Sequence, residues 1–310
     1  MQIKRDNLPF CLLAIVATTL WGSAFAGAKI GFAYMPPMML SGFRFMLAGL
    51  LLVPMVFITK IDWRSSMKHW RFMLLFGFIQ TFLQYGLFYS GLDLVPSAIA
   101  SVIIGAGPLF VAMMAHFTIR DDRLNRRTIV AVALGVAGVA ITSFSGAQIS
   151  TTEGYIYRGI ALLLASNLIG SYTNIMVAKR GGGISSIVLT MVANFWGGVL
   201  LLFVSLFVEP TEVLSQSLPA EFYWALLWLA IIPAAGFSIW YYLLGLPDVK
   251  VSELNIWKFL IPIVGVLLSW WLLPNEHPTW GTVAGIITIS SSVIILQLPT
   301  IKAKLFQRQK

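Results

Sequence analysis

Long apolar runs dominate the chain, with neither the strict alternation of a half-buried strand nor the one-sided stripe of a soluble helix. Ten such runs stand out, at 10–30, 38–58, 72–91, 97–118, 128–144, 156–178, 187–208, 222–244, 251–273 and 279–298. A helix needs about 20 apolar residues to cross the roughly 30 Å hydrocarbon core of a bilayer. Each run meets or approaches that length, 128–144 being the shortest. The polar stretches between them are mostly too brief to fold into anything outside a membrane. The pattern predicts an all-α membrane protein with ten transmembrane helices.

Composition supports the same reading. The 310 residues are 58% hydrophobic and only 11% charged, with a mean hydropathy of +0.84. Soluble domains carry about a quarter charged residues, because water must be met by something polar. The solvent here is lipid. A net charge of +9 in a soluble protein would raise the question of nucleic acid, but these basic residues fall in short segments between apolar runs. They follow the bias of Lys and Arg toward the cytoplasm. With the N-terminus inside, seventeen of the 21 basic residues fall on the cytoplasmic side, from Lys4 and Arg5 to Arg308 and Lys310. Only Arg158 falls outside, and Lys29, Arg44 and Lys258 lie within or at the ends of runs. Both termini are therefore expected in the cytoplasm, with the chain in the inner (plasma) membrane. Lys4-Arg5, the following run and Ala24-Phe25-Ala26 mimic a cleavable signal. Its removal would leave nine runs and break the repeat described next, so the first run is read as a span. The single Cys11 and the scattered His69, His116 and His277 offer no metal-ligand spacing. No metal, cofactor or nucleic-acid partner is expected; the partners expected are the lipid bilayer and a small molecule.

Landmarks recur along the chain. Gly91 to Pro108 and Gly245 to Pro262 span the same interval, and a polar pair follows each proline, Asp121-Asp122 and Asn275-Glu276. Gly22-Ser23 has a counterpart in Gly170-Ser171. Five runs per copy is an odd number, so the second copy enters the membrane from the opposite side. Such inverted repeats allow two similar halves to exchange conformations around a site between them. Pro108 and Pro262 fall near the middle of their runs. Each is expected to kink its helix and free a carbonyl, that of Ile104 or of Lys258. In a membrane a freed carbonyl needs protein, water or ligand, which makes both prolines candidates for a hinge that lines the site.

The order of these elements resembles the EamA-type members of the drug/metabolite transporter (DMT) superfamily. The resemblance is carried by Trp21-Gly22-Ser23, by Met35-Pro36-Pro37-Met38-Met39-Leu40 leading into Gly42-Phe43-Arg44-Phe45, and by Pro108 and Pro262. Asp121-Asp122 departs from the family's usual Gly-Glu, and Asn275-Glu276 is closer to it. The resemblance implies an EamA/DMT-like fold of two inverted five-helix repeats, at 8–145 and 155–298, followed by a basic cytoplasmic tail at 299–310. It also implies transport of small metabolites, often amino acids or their derivatives and frequently outward.

Ionisable groups at membrane depth cost about 2.5–3.5 kcal/mol on insertion scales and mark functional sites by default. Lys258 is the foremost, four residues before Pro262, and suits a substrate carboxylate or phosphate; snorkelling or pairing with Glu253 is the bland alternative. Arg44 lies inside the outer end of the second run, where interfacial anchoring would also explain it. Among neutral groups, Gln84, Asn255, Trp257 and Tyr241 are expected to line a central cavity, with Gln80, Asn167, Asn174, Asn194 and Trp240 as further polar or aromatic interior residues. None of the twelve acidic residues lies deep in a run. The interior charge is cationic, which favours neutral, zwitterionic or anionic cargo over cationic drugs. The expected function is secondary transport, in the export direction, by alternating access. The main alternative is a sugar-phosphate or nucleotide-sugar exchanger, whose mark would be several basic residues on one cavity. A membrane-embedded enzyme is disfavoured, because no nucleophile–base pair or carboxylate pair falls within the runs.

Overall fold

The computed structural model describes residues 8–92, 94–95, 103–144, 156–180, 182–247, 249–272 and 280–307. Asp93, the Ser97 end of the fourth run, Asn275-Glu276, His277, the basic Lys4-Arg5 and the last three residues of the tail lie outside these. Among the described residues the regular structure is helical. The elements are α1 (Leu8–Phe32), α2 (Pro37–Ile58), a short α3 (Trp63–Met67), α4 (Trp70–Leu92), α5 (Gly107–Thr118), α6 (Arg126–Phe144), α7 (Ile156–Arg180), α8 (Ser186–Val208), α9 (Ala220–Leu244), α10 (Val251–Ile256), α11 (Leu260–Leu272) and α12 (Trp280–Gln307). Five of these, α2, α4, α7, α8 and α9, are long and apolar enough to cross a membrane by length and composition. Pro9–Ala24, Ile103–Thr118 and Val283–Ile295 are shorter apolar helical stretches. The last helix runs past 298 to Gln307, through most of the segment expected as a tail. Charges such as Lys302 and Lys304 end a membrane span, but they do not end a helix.

Hydroxyls inside the apolar helices return their hydrogens to their own backbone. Thr18 donates to the Ala14 carbonyl (2.8 Å), Ser171 to Asn167 (2.8 Å) and Ser238 to Ala234 (2.7 Å). This removes the cost of an unpaired donor where water is absent. Helix ends are handled by other helices. Pro37 opens α2 where its missing N–H is no loss. The amides of Met38 and Met39 donate to the Glu209 carboxylate at 2.8 and 2.7 Å, so the end of α8 caps the start of α2.

The helices pair in a pattern that maps onto itself when the two halves are exchanged. α2 packs on α8, and α6 on α12. Contact of α1 with α9 is matched by α7 with α4, α1 with α11 by α7 with α5, and α2 with α9 by α8 with α4. The α2–α8 pair is backbone against backbone. A β-carbon on Gly42 would sit 2.7 Å from the Leu202 nitrogen, and one on Gly198 would sit 2.9 Å from the Gly42 oxygen. Small residues permit this approach, which drives helix association where lipid supplies no hydrophobic force.

Two helical segments are interrupted. Helical residues 103–105 stop at Ala106, and α5 restarts at Gly107-Pro108. The second interruption is a 3₁₀ turn, Trp257–Phe259, between α10 and α11, with Pro262 the third residue of α11. Pro108 thus sits in the first turn of α5, where a missing N–H is tolerated, and Pro262 follows closely on the 3₁₀ turn. Asp122, in the turn after α5, is 2% exposed and accepts from the Ser252 amide (2.9 Å) and from the Ser252 hydroxyl. It therefore joins the end of α5 to the start of α10.

Two outcomes test this packing. Gly198→Val should lower stability by about 1–3 kcal/mol or more, since a backbone neighbour cannot rotate away; Gly182→Ala, where a β-carbon meets nothing within 4 Å, should be neutral. Melting in detergent reads both. Asp122→Ala should cost about 1–3 kcal/mol in the same assay by orphaning the Ser252 donors.

Candidate functional site

A cavity of about 280 Å³ lies where the two interruptions face each other. α1, α4, α7, α9 and the segments around Pro108 and Pro262 wall it, so both halves of the chain contribute. Three local irregularities border it. Residues Phe78–Leu83 of α4 wind as a π-helix, which brings Gln80 and the following Gln84 to the wall. Such π segments recur at functional sites, because they re-aim side chains within a helix. Neither proline nor glycine within 78–83 announces it. There α4 lies close against α8: a β-carbon on Gly197 would lie 2.8 Å from the Gly77 carbonyl. The other two irregularities are the breaks at Ala106 and at Trp257–Phe259, the latter presenting Lys258.

The far wall is aromatic. Trp21 meets Trp240 edge-on (5.1 Å between centroids) and Phe237 at a tilt (5.4 Å). Phe237 stacks on Tyr241 at 5.5 Å, 7° from parallel. The Lys258 ammonium lies over both indoles, 4.9 Å from the Trp240 centroid and 5.7 Å from that of Trp21. Cation–π attraction of this kind contributes about 0.5–2 kcal/mol, more when desolvated. Lys258 has no ion pair among the described residues; Glu253, weighed as its partner, pairs instead with Lys250 at 3.7 Å.

Polar side chains sort into those already engaged and those still free. Asn167 Nδ2 donates to the Ile103 carbonyl at the break before α5, at 2.5 Å. Asn174 Oδ1 accepts from Trp240 Nε1 (2.9 Å) and Asn255 Nδ2 (3.2 Å), while its own Nδ2 donates to the Gly170 carbonyl. The Gln80 carbonyl oxygen accepts from Thr81. By contrast, Trp21 Nε1 and the Tyr241 hydroxyl find no partner among the described residues.

Of the residues expected to line or hinge the site, Lys258, Gln84, Tyr241, Pro108 and Pro262 come together on this cavity. Three do not reach it. Asn255 is fully buried one turn behind Lys258, spending its Nδ2 on Asn174 and on the Val251 carbonyl. Trp257 packs into the main apolar core. Arg44 lays its guanidinium on Phe45 (4.6 Å) and on Tyr85 (5.6 Å), a residue that does line the cavity. Sequence reasoning missed Tyr85 and Phe237, and used Trp21 only as a motif. On one side the cavity is closed by core: Ala14, Ala17, Ala115, Leu243, Leu244, Val251 and Leu254 are each at most 3% exposed. This is the side where α10 begins, tied by Asp122 to the turn after α5.

Comparison with known proteins agrees with this architecture. The model of the EamA-like transporter family matches residues 8–144 and again 157–298. The uncharacterized transporter YvbV of Bacillus subtilis (strain 168) is 26% identical over 287 residues, covering 92% of this chain and 90% of its own. Proteins described as a probable amino-acid metabolite efflux pump are similar too. The one from Salmonella typhimurium is 27% identical (91% of this chain, 93% of its own), and the one from Escherichia coli K12 is 26% identical (92% and 93%). A solved crystal structure superposes with a TM-score of 0.81 over 95% of this chain and 98% of that one; at 17% identity it shows the same fold. With both stretches matched and membrane-length helices in place, this multi-pass membrane chain belongs to the EamA-like transporter family.

Proposed function

We propose that the protein is a secondary exporter of small metabolites, amino acids or their derivatives, working by alternating access between two inverted five-helix repeats. On this reading the repeats span 8–145 and 155–298, all ten apolar runs cross the inner membrane, and both termini are cytoplasmic. The carrying observation is the cavity: it lies between the halves, at the broken segments, and holds a cation at membrane depth. The exchange-invariant helix pairing supports the repeat, since two inverted copies must meet each other in matched ways. The side sealed by the core and the Asp122–Ser252 bonds is then cytoplasmic, and the conformer is closed toward the cell interior. Relatives described as amino-acid metabolite efflux pumps support the cargo class and the direction.

The sugar-phosphate alternative is weakened by the lining. Among the described lining residues, Lys258 alone carries a charge, whereas a phosphate dianion calls for several cations or a bidentate Arg. Arg44 is held on aromatic rings outside the lining.

Proteoliposomes loaded with a panel of amino acids and acylated or deaminated derivatives provide the test. At least one zwitterionic or anionic compound should move, cationic dyes should not, and Lys258→Ala should slow that transport about tenfold or more. A charge-assisted contact of about 1.5–3 kcal/mol sets that scale. Unchanged rates in Lys258→Ala would remove Lys258 from the path. For orientation, in a Cys11→Ser background, Gln216→Cys should react with an impermeant maleimide from outside intact cells, and Ser65→Cys should not.

A further inference from the structure

Among the described residues the cavity lining carries unpaired donors and one positive charge, and no negative charge. We infer that its ligand is an aromatic monocarboxylate without a free amine, such as a deaminated or N-acylated aromatic amino acid. This narrows the metabolite reading above and rests on it.

The balance of charge carries the argument. A free amino acid brings a carboxylate and an ammonium. Lys258 can neutralise the first, but the second needs an anion or several well-placed carbonyls. All twelve acidic residues of the chain fall in loops or at the ends of apolar runs. Glu209 caps α2, Asp122 is bound to Ser252, and Glu253 faces Lys250. Backbone carbonyls at a broken helix are the other natural host for an ammonium, and here two of them are engaged. The Ile103 oxygen receives Asn167 Nδ2 and the Ala106 amide, and the Trp257 oxygen receives the Leu260 amide. Asn174 Oδ1, a lining acceptor, already takes two donors. Gln84, able to turn either way, and Asn167 Oδ1 remain as neutral groups. A bound zwitterion would leave its ammonium beside Lys258 in a medium of low dielectric, where like charges repel strongly. A monoanion leaves the cavity neutral.

The residues that carry unpartnered donors share this lining. Lys258 Nζ has only the two indole faces, and Trp21 Nε1 and the Tyr241 hydroxyl lack partners among the described residues. All three residues line the cavity. A carboxylate is acceptor-only, with about four lone-pair sites. The Trp21–Trp240–Phe237–Tyr241 wall then meets a flat apolar body by offset or edge contact. At about 280 Å³ the space falls just below the roughly 300 Å³ at which drug-sized sites begin, which suits a single ring with a short side chain.

Three compounds of one shape decide the matter: 3-phenylpropionate, phenylalanine and phenethylamine. Thermal stabilisation of the detergent-purified protein reads binding, and counterflow in proteoliposomes reads transport. 3-Phenylpropionate should half-saturate at least tenfold below phenylalanine, and phenethylamine should produce no shift. Lys258→Gln should abolish the preference while its unliganded melt stays near that of the parent; Tyr241→Phe, which keeps the ring, should weaken 3-phenylpropionate severalfold. Phenylalanine bound or moved as well as 3-phenylpropionate would overturn the inference and leave metabolite transport intact. Binding of none of the three would also overturn it. Failure of the whole metabolite panel in proteoliposomes would instead strike the transport reading on which it rests.

Discussion

In hydrocarbon every backbone N–H and C=O must be satisfied by protein, and this requirement organises the molecule. Continuous helices meet it within themselves, so most of the chain is helix. Wherever the helical ladder stops, the exposed groups must face protein or an aqueous cavity. The chain stops its ladder at Ala106, tightens it at Trp257–Phe259 and widens it at Phe78–Leu83, and these places border one space. Asn167 reaches across from α7 to cover the Ile103 carbonyl. The site exists because irregular backbone is tolerated only where something covers it.

Around that space the fold separates close-packed pairs from seams. The α2–α8 pair is in backbone contact and is capped across the halves by Glu209. The α6–α12 pair is the other extensive contact between corresponding helices, with Ser292 donating to the Ala131 carbonyl at 2.6 Å. Glycine contacts of this kind resist sliding, because no side chain can rotate to make room. The contact between α5 and α10 differs in kind. There a buried carboxylate holds one serine, and water could replace both bonds on opening. On the alternating-access reading proposed above, rigid pairs at the flanks and a polar latch between α5 and α10 suit a carrier that rocks between two closures.

Electrostatics at the centre follow from what surrounds Lys258. A bare ammonium at membrane depth is costly, and two indole faces offset part of that cost. The remainder is left for a ligand. Among the described residues no carboxylate lines the cavity, so on the reading inferred above the anion comes from the cargo and its binding neutralises the site.

Much of this was legible in the amino-acid order. Run length and loop charge located the apolar helices, since transfer to lipid depends on composition and scarcely on context. The same cost of burial pointed to Lys258, Gln84 and Tyr241, and the proline rule to residues 108 and 262. The rule did not say whether a proline bends a helix or begins one. Helices that are apolar on every side carry no periodic signal for which face meets lipid and which meets the cavity. Asn255, Trp257 and Arg44 therefore read like their neighbours until packing turned them toward Asn174, the core and Tyr85. Trp21, Tyr85 and Phe237 were hidden for the same reason. Rotation and depth of each helix, the π segment in α4, and the pairing that leaves Lys258 alone with two indoles became visible only in the tertiary structure.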